Sequence, residues 1–344
     1  MNIKRTIIVI VSIGFLFSLS IMVNKNVYGQ SRITLKYANF PPATTFPCVQ
    51  MERWAKEVEK RTNGKVKVQT FPGGTLIPAK NIFDGVISGM ADIGNFAMSY
   101  QPGRFPVSEA IDLPVGFTSA RSASLALYDL IQKYQPKEFQ KVKLLTVFTC
   151  PPADLMTTRQ VKTLTDLKGM ELRVSGTGAD VITRLGGVPI AMPQSDTPEA
   201  IQKGVVKGIV SSTEILKDFN FAVYCPYVAK ASLFVVSFAV VMNKDKWNSL
   251  PEDAKKVIDD LRREQAEWTG TYADERSQMA LDWTKQTNKD YQLTLFSAAD
   301  KAVISKALKP MIDDYVKKVN GMGLPGDQII KDVYALKAKH EKGK

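Results

Sequence analysis

The chemistry open to this chain is concentrated in one stretch, residues 163–208. It reads Asp166-Leu167-Lys168-Gly169-Met170-Glu171-Leu172-Arg173-Val174, then Leu185-Gly186-Gly187-Val188-Pro189-Ile190-Ala191-Met192-Pro193, then Ala200-Ile201-Gln202-Lys203-Gly204-Val205-Val206-Lys207-Gly208. The first block puts a permanently charged arginine at the end of a short strand that leads into a helix. A second strand-loop-helix unit follows at once. Arg173 therefore sits on an anion-binding edge, where its planar fork matches a carboxylate through two parallel charged hydrogen bonds. Its alternative fates are a surface position or an internal salt bridge, for example with Asp154 or Glu214. Nothing in the stretch supplies a nucleophile or a general base.

The rest of the chain adds no catalytic machinery. The single histidine is His340, in a lysine-rich tail, which removes Ser-His-Asp, Cys-His and histidine-zinc arrangements. No GxSxG, P-loop or GxGxxG fingerprint occurs, and no acidic pair stands at a predicted strand end. Cys48, Cys150 and Cys225 have no metal-ligand spacing; Cys150 and Cys225 can form one disulfide, or all three can be buried thiols. The sequence reads as a non-enzyme with no cofactor.

The elements that position Arg173 follow from periodicity. Residues 33–38 alternate as a strand, 49–61 carry Met51, Trp54, Ala55 and Val58 on one helical face, and strand 66–71 ends at a Pro-Gly-Gly turn. Helix 79–88 and strand 92–96 complete a βαβαβ unit with a parallel sheet. Helix 122–134 and strand 142–148 lead to Cys150-Pro151-Pro152, the expected first crossing into a second domain. There, strand 171–174, helix 179–185, strand 189–192 and helix 198–204 follow, with Pro198 at a first helical position. An apolar strand, 233–242, returns to the first domain, with Phe234 and Phe238 on one face as core. A helical stretch runs from 250 to about 289, interrupted only by Gly270, and helices 298–320 and 326–339 finish the sequence. Residues 337–344 read as a frayed terminus.

In open parallel sheets ligands lie beyond the carboxyl ends of the strands. That rule nominates Asn39, Phe40, Gly74, Thr75, Phe96 and Tyr100 from the first domain. From the second it nominates Asp154, Arg173, Met192, Ser211, Thr213 and Glu214. Arg173 would be the anchor, the aromatic residues a stacking wall or simply core, and the hydroxyls orienting groups. One cation suits one carboxylate, and the lining suits an apolar or aromatic body.

The three blocks, with Phe71-Pro72-Gly73-Gly74-Thr75-Leu76, Val241-Met242-Asn243-Lys244-Asp245-Lys246-Trp247 and Ser249-Leu250-Pro251, resemble the solute-binding subunits of tripartite ATP-independent periplasmic (TRAP) transporters, the DctP-like family. The likeness covers nearly the whole mature chain. It implies a two-lobed α/β periplasmic-binding-protein fold, each lobe a mostly parallel sheet flanked by helices, with a long helix spanning both. It also implies a receptor that captures an organic anion and delivers it to the membrane subunits of a TRAP permease, with Arg173 on the carboxylate-binding arginine. A second arginine found in some members is Ala153 here, a common asparagine is Ser211, and a usual acid is Lys207; these departures point away from a dicarboxylate or a sialic acid. The alternatives are the receptor of an ATP-driven importer or a periplasmic ligand sensor for a membrane kinase.

Composition agrees with export and a globular protein. The 344 residues, 44% hydrophobic, suffice for two domains. Lys4 and Arg5 precede an uncharged run, 6–23, and Val27-Tyr28-Gly29 offers a cleavage site, so residues 1–29 read as a signal peptide, or an uncleaved anchor, and the protein as periplasmic. Without Lys4, Arg5 and Lys25 the net charge falls from +12 to +9, an excess that either speeds anion capture or serves solubility. No stretch interleaves basic and aromatic residues as nucleic-acid binding requires. Membrane contact is expected only through the permease. The expected lobes are 30–150 with about 242–280, and 151–241, with about 281–344 packing across them.

Overall fold

The computed structural model describes residues 32–342; the expected signal, residues 1–29, lies outside the described residues. Leu35 and Tyr37 of the alternating first strand are fully buried. In chain order the strands are β1 (Ile33–Asn39), β2 (Val66–Phe71), β3 (Ile93–Ala97), β4 (Val142–Thr149), β5 (Asp154–Thr157), β6 (Glu171–Val174), β7 (Val188–Ala191), β8 (Gly208–Ser211), β9 (Tyr227–Lys230), β10 (Ser237–Asn243) and β11 (Gln292–Leu295). They form a five-stranded sheet, β2-β1-β3-β10-β4, and a six-stranded sheet, β11-β9-β5-β8-β6-β7.

Each sheet carries one strand against the grain. β1 and β3 are parallel, and β10 is antiparallel to both β3 and β4. In the second sheet β6 is parallel to β7 and β8, and β9 to β11, while β5 is antiparallel to β8 and β9. The reversed strands are the two reached through extended linkers between the sheets; the third passage, to β11, runs through the long helix Glu252–Thr287 and ends parallel to β9. Each reversed strand arrives from an extended linker instead of a returning helix, so nothing turns it parallel to its neighbours. The two linkers run side by side. Cys150 N–H donates to the Val236 carbonyl at 3.0 Å, Ala153 N–H to Phe234 at 2.7 Å, and Leu233 N–H to Ala153 at 2.8 Å.

Helices α1 (Phe46–Arg61), α2 (Ile82–Ile87), α3 (Pro106–Asp112) and α4 (Ala120–Tyr134) accompany the first sheet; α5 (Gly178–Arg184), α6 (Thr197–Gln202) and α7 (Ile215–Asp218) the second. After the short α8 (Lys244–Asn248), the 36-residue α9 (Glu252–Thr287) packs on α1, α4 and β4 of one lobe and α7 of the other. The helices α10 (Ala298–Leu308), α11 (Pro310–Gly321) and α12 (Gly326–Glu341) follow. Ile304, Leu308 and Met311 seal one face of the second sheet against Leu172, Val174 and Ile182. The other face packs Ile209, Leu216 and Phe221 with Ala280 of α9. Among the described residues no helix is long and apolar enough to cross a membrane.

The structure departs from the sequence reading in instructive places. Phe234 precedes β10 and packs on Gly178 in the second lobe, whereas Phe238 lies on β10 and stacks on Phe148. The stretch 298–320 is two helices because Pro310 removes a backbone donor. The C-terminal segment is not frayed up to Glu341. His340 is buried against Asp129, and the Glu341 carboxylate accepts from Thr118. Short strands β5, β8, β9 and β11, and helix α3, escape the periodicity reading because four to seven residues show too little pattern. All three cysteines are free and buried, so the possible Cys150–Cys225 disulfide is absent.

Gly270, odd in the middle of α9, is explained by contact. A Cβ there would lie 2.6 Å from the Arg121 Cα and 2.8 Å from the Ala120 carbonyl oxygen, both backbone. The same junction is fixed by the Asp274 carboxylate, which accepts from the Ala120 and Arg121 amides at 2.7 and 3.0 Å. Replacing Gly270 by alanine should destabilise the fold by about 1–3 kcal/mol through overpacking, against a helix-propensity gain of roughly 1 kcal/mol. Urea unfolding measures the balance, and a Gly270→Ala protein as stable as wild type would show that α4 and α9 separate freely.

Candidate ligand-binding site

Arg173 lies on β6, flanked by β7 and β8, and is only 3% exposed. Its Nε and Nη2 both donate to the Met192 carbonyl, at 3.0 and 2.8 Å, and Nη2 lies 3.4 Å from the Tyr100 hydroxyl. The loop after β7 thus clamps one edge of the guanidinium. Among the described residues, Nη1 has no hydrogen-bond partner and no carboxylate lies within salt-bridge distance. Burial lowers the pKa of Arg173, with Tyr100, Cys150 and Asp196 opposing the shift, but a guanidinium remains charged in proteins. It is a buried cation without a counter-ion.

The two acids that were alternative partners are engaged elsewhere. Asp154 is fully buried, pairs with Lys230, and accepts from the Ala231 and Ser232 amides at 2.8 and 3.0 Å. It fixes the start of the return linker. Glu214 accepts from Ser212 Oγ at 2.6 Å and from Ser277 Oγ of α9 at 3.1 Å.

Arg173 borders a small cavity of about 50 Å³ between the lobes, below the roughly 300–1,000 Å³ of drug-sized sites. The first lobe supplies Phe40, Thr45, Phe46, Tyr100 and Phe238; the second supplies Ser175, Gln194, Ser211, Glu214, Asp218 and Phe219. Phe40 and Phe238 are parallel at 6.3 Å, with Phe46 edge-on to Phe238 at 6.3 Å. The lobes meet at Tyr100, whose hydroxyl also accepts from the Gln194 amide at 3.0 Å, and at Gly176, where a Cβ would stand 2.6 Å from that of Ser99. A crevice of about 590 Å³ shares Tyr100 and Ser175 with the cavity and adds Met192, Gly176 and Tyr315.

Of the residues expected at the site, Arg173, Phe40, Tyr100, Ser211 and Glu214 line the cavity, and Met192 reaches it through the carbonyl that holds Arg173. The others stand apart. Asn39 is buried and bonds Pro47, Phe40 and Asn95. Gly74 donates to the Asn39 carbonyl, and Thr75 is exposed, closing its own turn on Pro72. Phe96 belongs to a core cluster with Phe83 and Phe105. Thr213 points to the Ser277 carbonyl and, like Asp154, lines no part of this cavity.

Sequence reasoning missed Asp218, Phe219 and Phe46, and it did not single out Gln194 within the nominated loop 192–195. Asp218 and Phe219 follow the nominated loop 211–214, and a strand-end rule does not say how far a loop folds back. Gln194 and Asp218 each carry a buried atom without a hydrogen-bond partner, Nε2 and Oδ2. No group of side chains suited to a metal ion occurs among the described residues.

Burial also sets the titration of two acids. Glu214 is pushed from 4.5 to about 7, and Asp112, bonded to Ser237, from 3.8 to about 8. Folding then favours their protonated forms, so their contribution is greatest below the ordinary carboxylate range. It falls as pH rises towards about 7 for Glu214 and about 8 for Asp112, by at most about 1.4 kcal/mol per pH unit for each group. Denaturant midpoints across that window should decline with pH, and Glu214→Gln should flatten the decline below neutrality. An unchanged slope in the variant would mean that Glu214 ionises normally.

Residues 38–318 match the family described as bacterial extracellular solute-binding protein, family 7 (DctP). A TRAP periplasmic solute-binding protein from Desulfovibrio salexigens superposes with a TM-score of 0.82 at 52% identity, over 91% of this chain and 98% of that one; the C-terminus of a symmetry mate is bound in its ligand-binding site. A marine-metagenome TRAP solute-binding protein specific for aromatic acid ligands, in complex with 3-hydroxybenzoate, superposes with a TM-score of 0.85 at 28% identity, over 90% and 99%. The C4-dicarboxylate-binding protein DctB of Bacillus subtilis (strain 168) is 23% identical over 83% of each sequence. With its two mixed sheets, its spanning helix and its interlobe cavity, this chain belongs to the family 7 extracellular solute-binding proteins, the organic-acid receptors of TRAP transport, and is not an enzyme.

Proposed function

We propose that this receptor captures a small monocarboxylate with an apolar or aromatic body at Arg173 and hands it to the membrane subunits of a TRAP permease. The observation that carries the reading is the buried guanidinium whose Nη1 faces no protein partner among the described residues. Leaving such a charge uncompensated is costly, and a ligand carboxylate offers the missing counter-ion. Gln194 Nε2, an orphan donor on the same wall, gives the carboxylate a second bond. The stacked phenylalanines accept an apolar body.

The relatives support the class. The metagenomic neighbour is specific for aromatic acids, and the site of the Desulfovibrio protein holds the C-terminus of a symmetry mate, the end of a polypeptide that carries a carboxylate. The expected boundary at 241 moves to about 236, because β10 pairs within the first sheet: the proposed lobes are 30–150 with about 237–280, and 151–236 joined by β11 of the second sheet, with the remaining helices bracing both. Ligand bridging Arg173 and the first-lobe aromatics would favour the closed form by differential contact, and the permease would read that closed surface. Capture would take place in the periplasm after removal of residues 1–29.

Calorimetric titration of refolded, ligand-stripped protein (residues 30–344) with a panel of organic acids tests this beside Arg173→Ala. One monocarboxylate should bind at micromolar affinity or better, and the variant should lose about a thousandfold, roughly 4 kcal/mol. Equal affinity in the variant would remove Arg173 as the anchor, and tighter binding of succinate than of every monocarboxylate would overturn the ligand class.

A further inference from the structure

The cavity wall is polar at two places, and their hydrogen-bonding senses are opposite. Beside Arg173 two donors have no partner among the described residues: guanidinium Nη1 and Nε2 of Gln194, a residue 7% exposed. At α7 the cavity is lined by two carboxyl side chains. Glu214 opens that segment and Asp218 ends it, and both line the same cavity. The neighbours of Arg173 are Met192, Tyr100 and Asp196, whereas those of Glu214 are Ser212, Ser277 and Asp218. The cavity is therefore lined by an arginine without a counter-ion and by two acids held through α9, together with phenylalanines.

The acidic pair has one acceptor to spare. Both Glu214 oxygens already accept from serine hydroxyls. Asp218 differs. Arg276 of α9 pairs with its Oδ1, and the Phe46 amide at the start of α1 draws on the same carboxylate. Oδ2 nevertheless has no hydrogen-bond partner in a side chain only 1% exposed. Because α9 fixes the other oxygen, Oδ2 cannot rotate to solvent to satisfy itself. A buried polar atom without a partner is rare in native structures, and each asks for an explanation.

We infer that Asp218 is a specificity-determining residue: the ligand carries a hydroxyl or amine donor at the end remote from its carboxylate and gives it to Asp218 Oδ2. This rests on the carboxylate anchor proposed above and narrows the ligand from an apolar or aromatic acid to a hydroxy- or amino-substituted one. A site built to accept a hydrogen bond discriminates strongly against analogues that cannot donate one, because its own acceptor is then left buried and unpaired. A bare aromatic acid satisfies only the donors beside Arg173.

The test titrates the full mature protein with 3- and 4-hydroxybenzoate, their O-methyl ethers, and benzoate, each repeated with Asp218→Asn and Arg173→Ala. The methyl ether keeps the ring, the carboxylate and the oxygen but removes the donor. At least one hydroxybenzoate should bind tenfold or more tightly than both its ether and benzoate. In Asp218→Asn, where the position can present an amide donor instead, that ratio should shrink below threefold. Phenol, ether and benzoate binding wild type within threefold of one another, all weakened by Arg173→Ala, would overturn the inference and leave the carboxylate anchor standing. Binding that ignores Arg173→Ala, or no binding by any of the five, would take down the anchor and this inference together. Because the decisive comparison is between ligands on wild-type protein, a variant that fails to fold does not blunt it.

Discussion

A buried guanidinium without a counter-ion is the constraint around which the cleft is arranged. Taking an arginine out of water is tolerable when its donors are bonded and its charge is met. Here the first condition is partly fulfilled and the second is not: Met192 accepts two of the donors, Tyr100 touches one edge, and no carboxylate is in range among the described residues. The carbonyl clamp also fixes the fork's direction, so that the remaining edge can be aimed. Since Tyr100 comes from the opposite lobe and also binds the Gln194 amide, the cation's surroundings are complete only when the lobes are together. In the proposed role, an anion joining them finishes an electrostatic arrangement that the protein leaves open.

That arrangement needs two lobes that can meet in one geometry. Two adjacent linkers, hydrogen-bonded to one another through residues 150–153 and 233–236, restrain how the lobes turn. The long helix α9 restrains them further. It is held to the first lobe by the Gly270 contact and the Asp274 cap on α4, and to the second by Arg276 on Asp218 and Ser277 on Glu214. The residues that grip the second lobe are therefore the residues that set the acidic end of the cavity. Structural bracing and site geometry share the same side chains, so changes in the last third of the sequence can be felt at the ligand.

Much of this was legible in the sequence, and what was not had physical causes. Arg173 announced itself because a lone charged fork closes a short apolar strand, and Phe40, Tyr100, Ser211 and Glu214, nominated by the strand-end rule, line one cavity with it. The rule failed for Phe96, whose side chain turns into a cluster with Phe83 and Phe105; adjacent residues of a strand face opposite ways, and the phase at the strand's end is not written in its composition. It failed for Asp154 because a neighbouring lysine and two amides, distant in sequence, claim it. Asp218, and Gln194 within a nominated loop, were not singled out, for the converse reason. What singles them out is the absence of partners, a property of packing that no residue type displays.

The same packing bears on how many charges the ligand carries. A dicarboxylate held at Arg173 would direct its second carboxylate either along the phenylalanine wall or toward α7. The first path strips its hydration without returning a bond. The second sets it against Glu214 and Asp218, where like charges repel and burial already raises both pKa values. Arg276, the cation beside α7, is committed to Asp218, Lys230 on β9 to Asp154, and the position of a second arginine in some relatives is Ala153, buried in the second lobe's core. A hydroxyl meets the opposite conditions at the acidic end: it is neutral, it donates, and Asp218 Oδ2 has no partner among the described residues. In the proposed role, the far wall would thus select against a second anion by the same feature that favours a donor, and the acidic residues would share with the arginine the choice of organic acid.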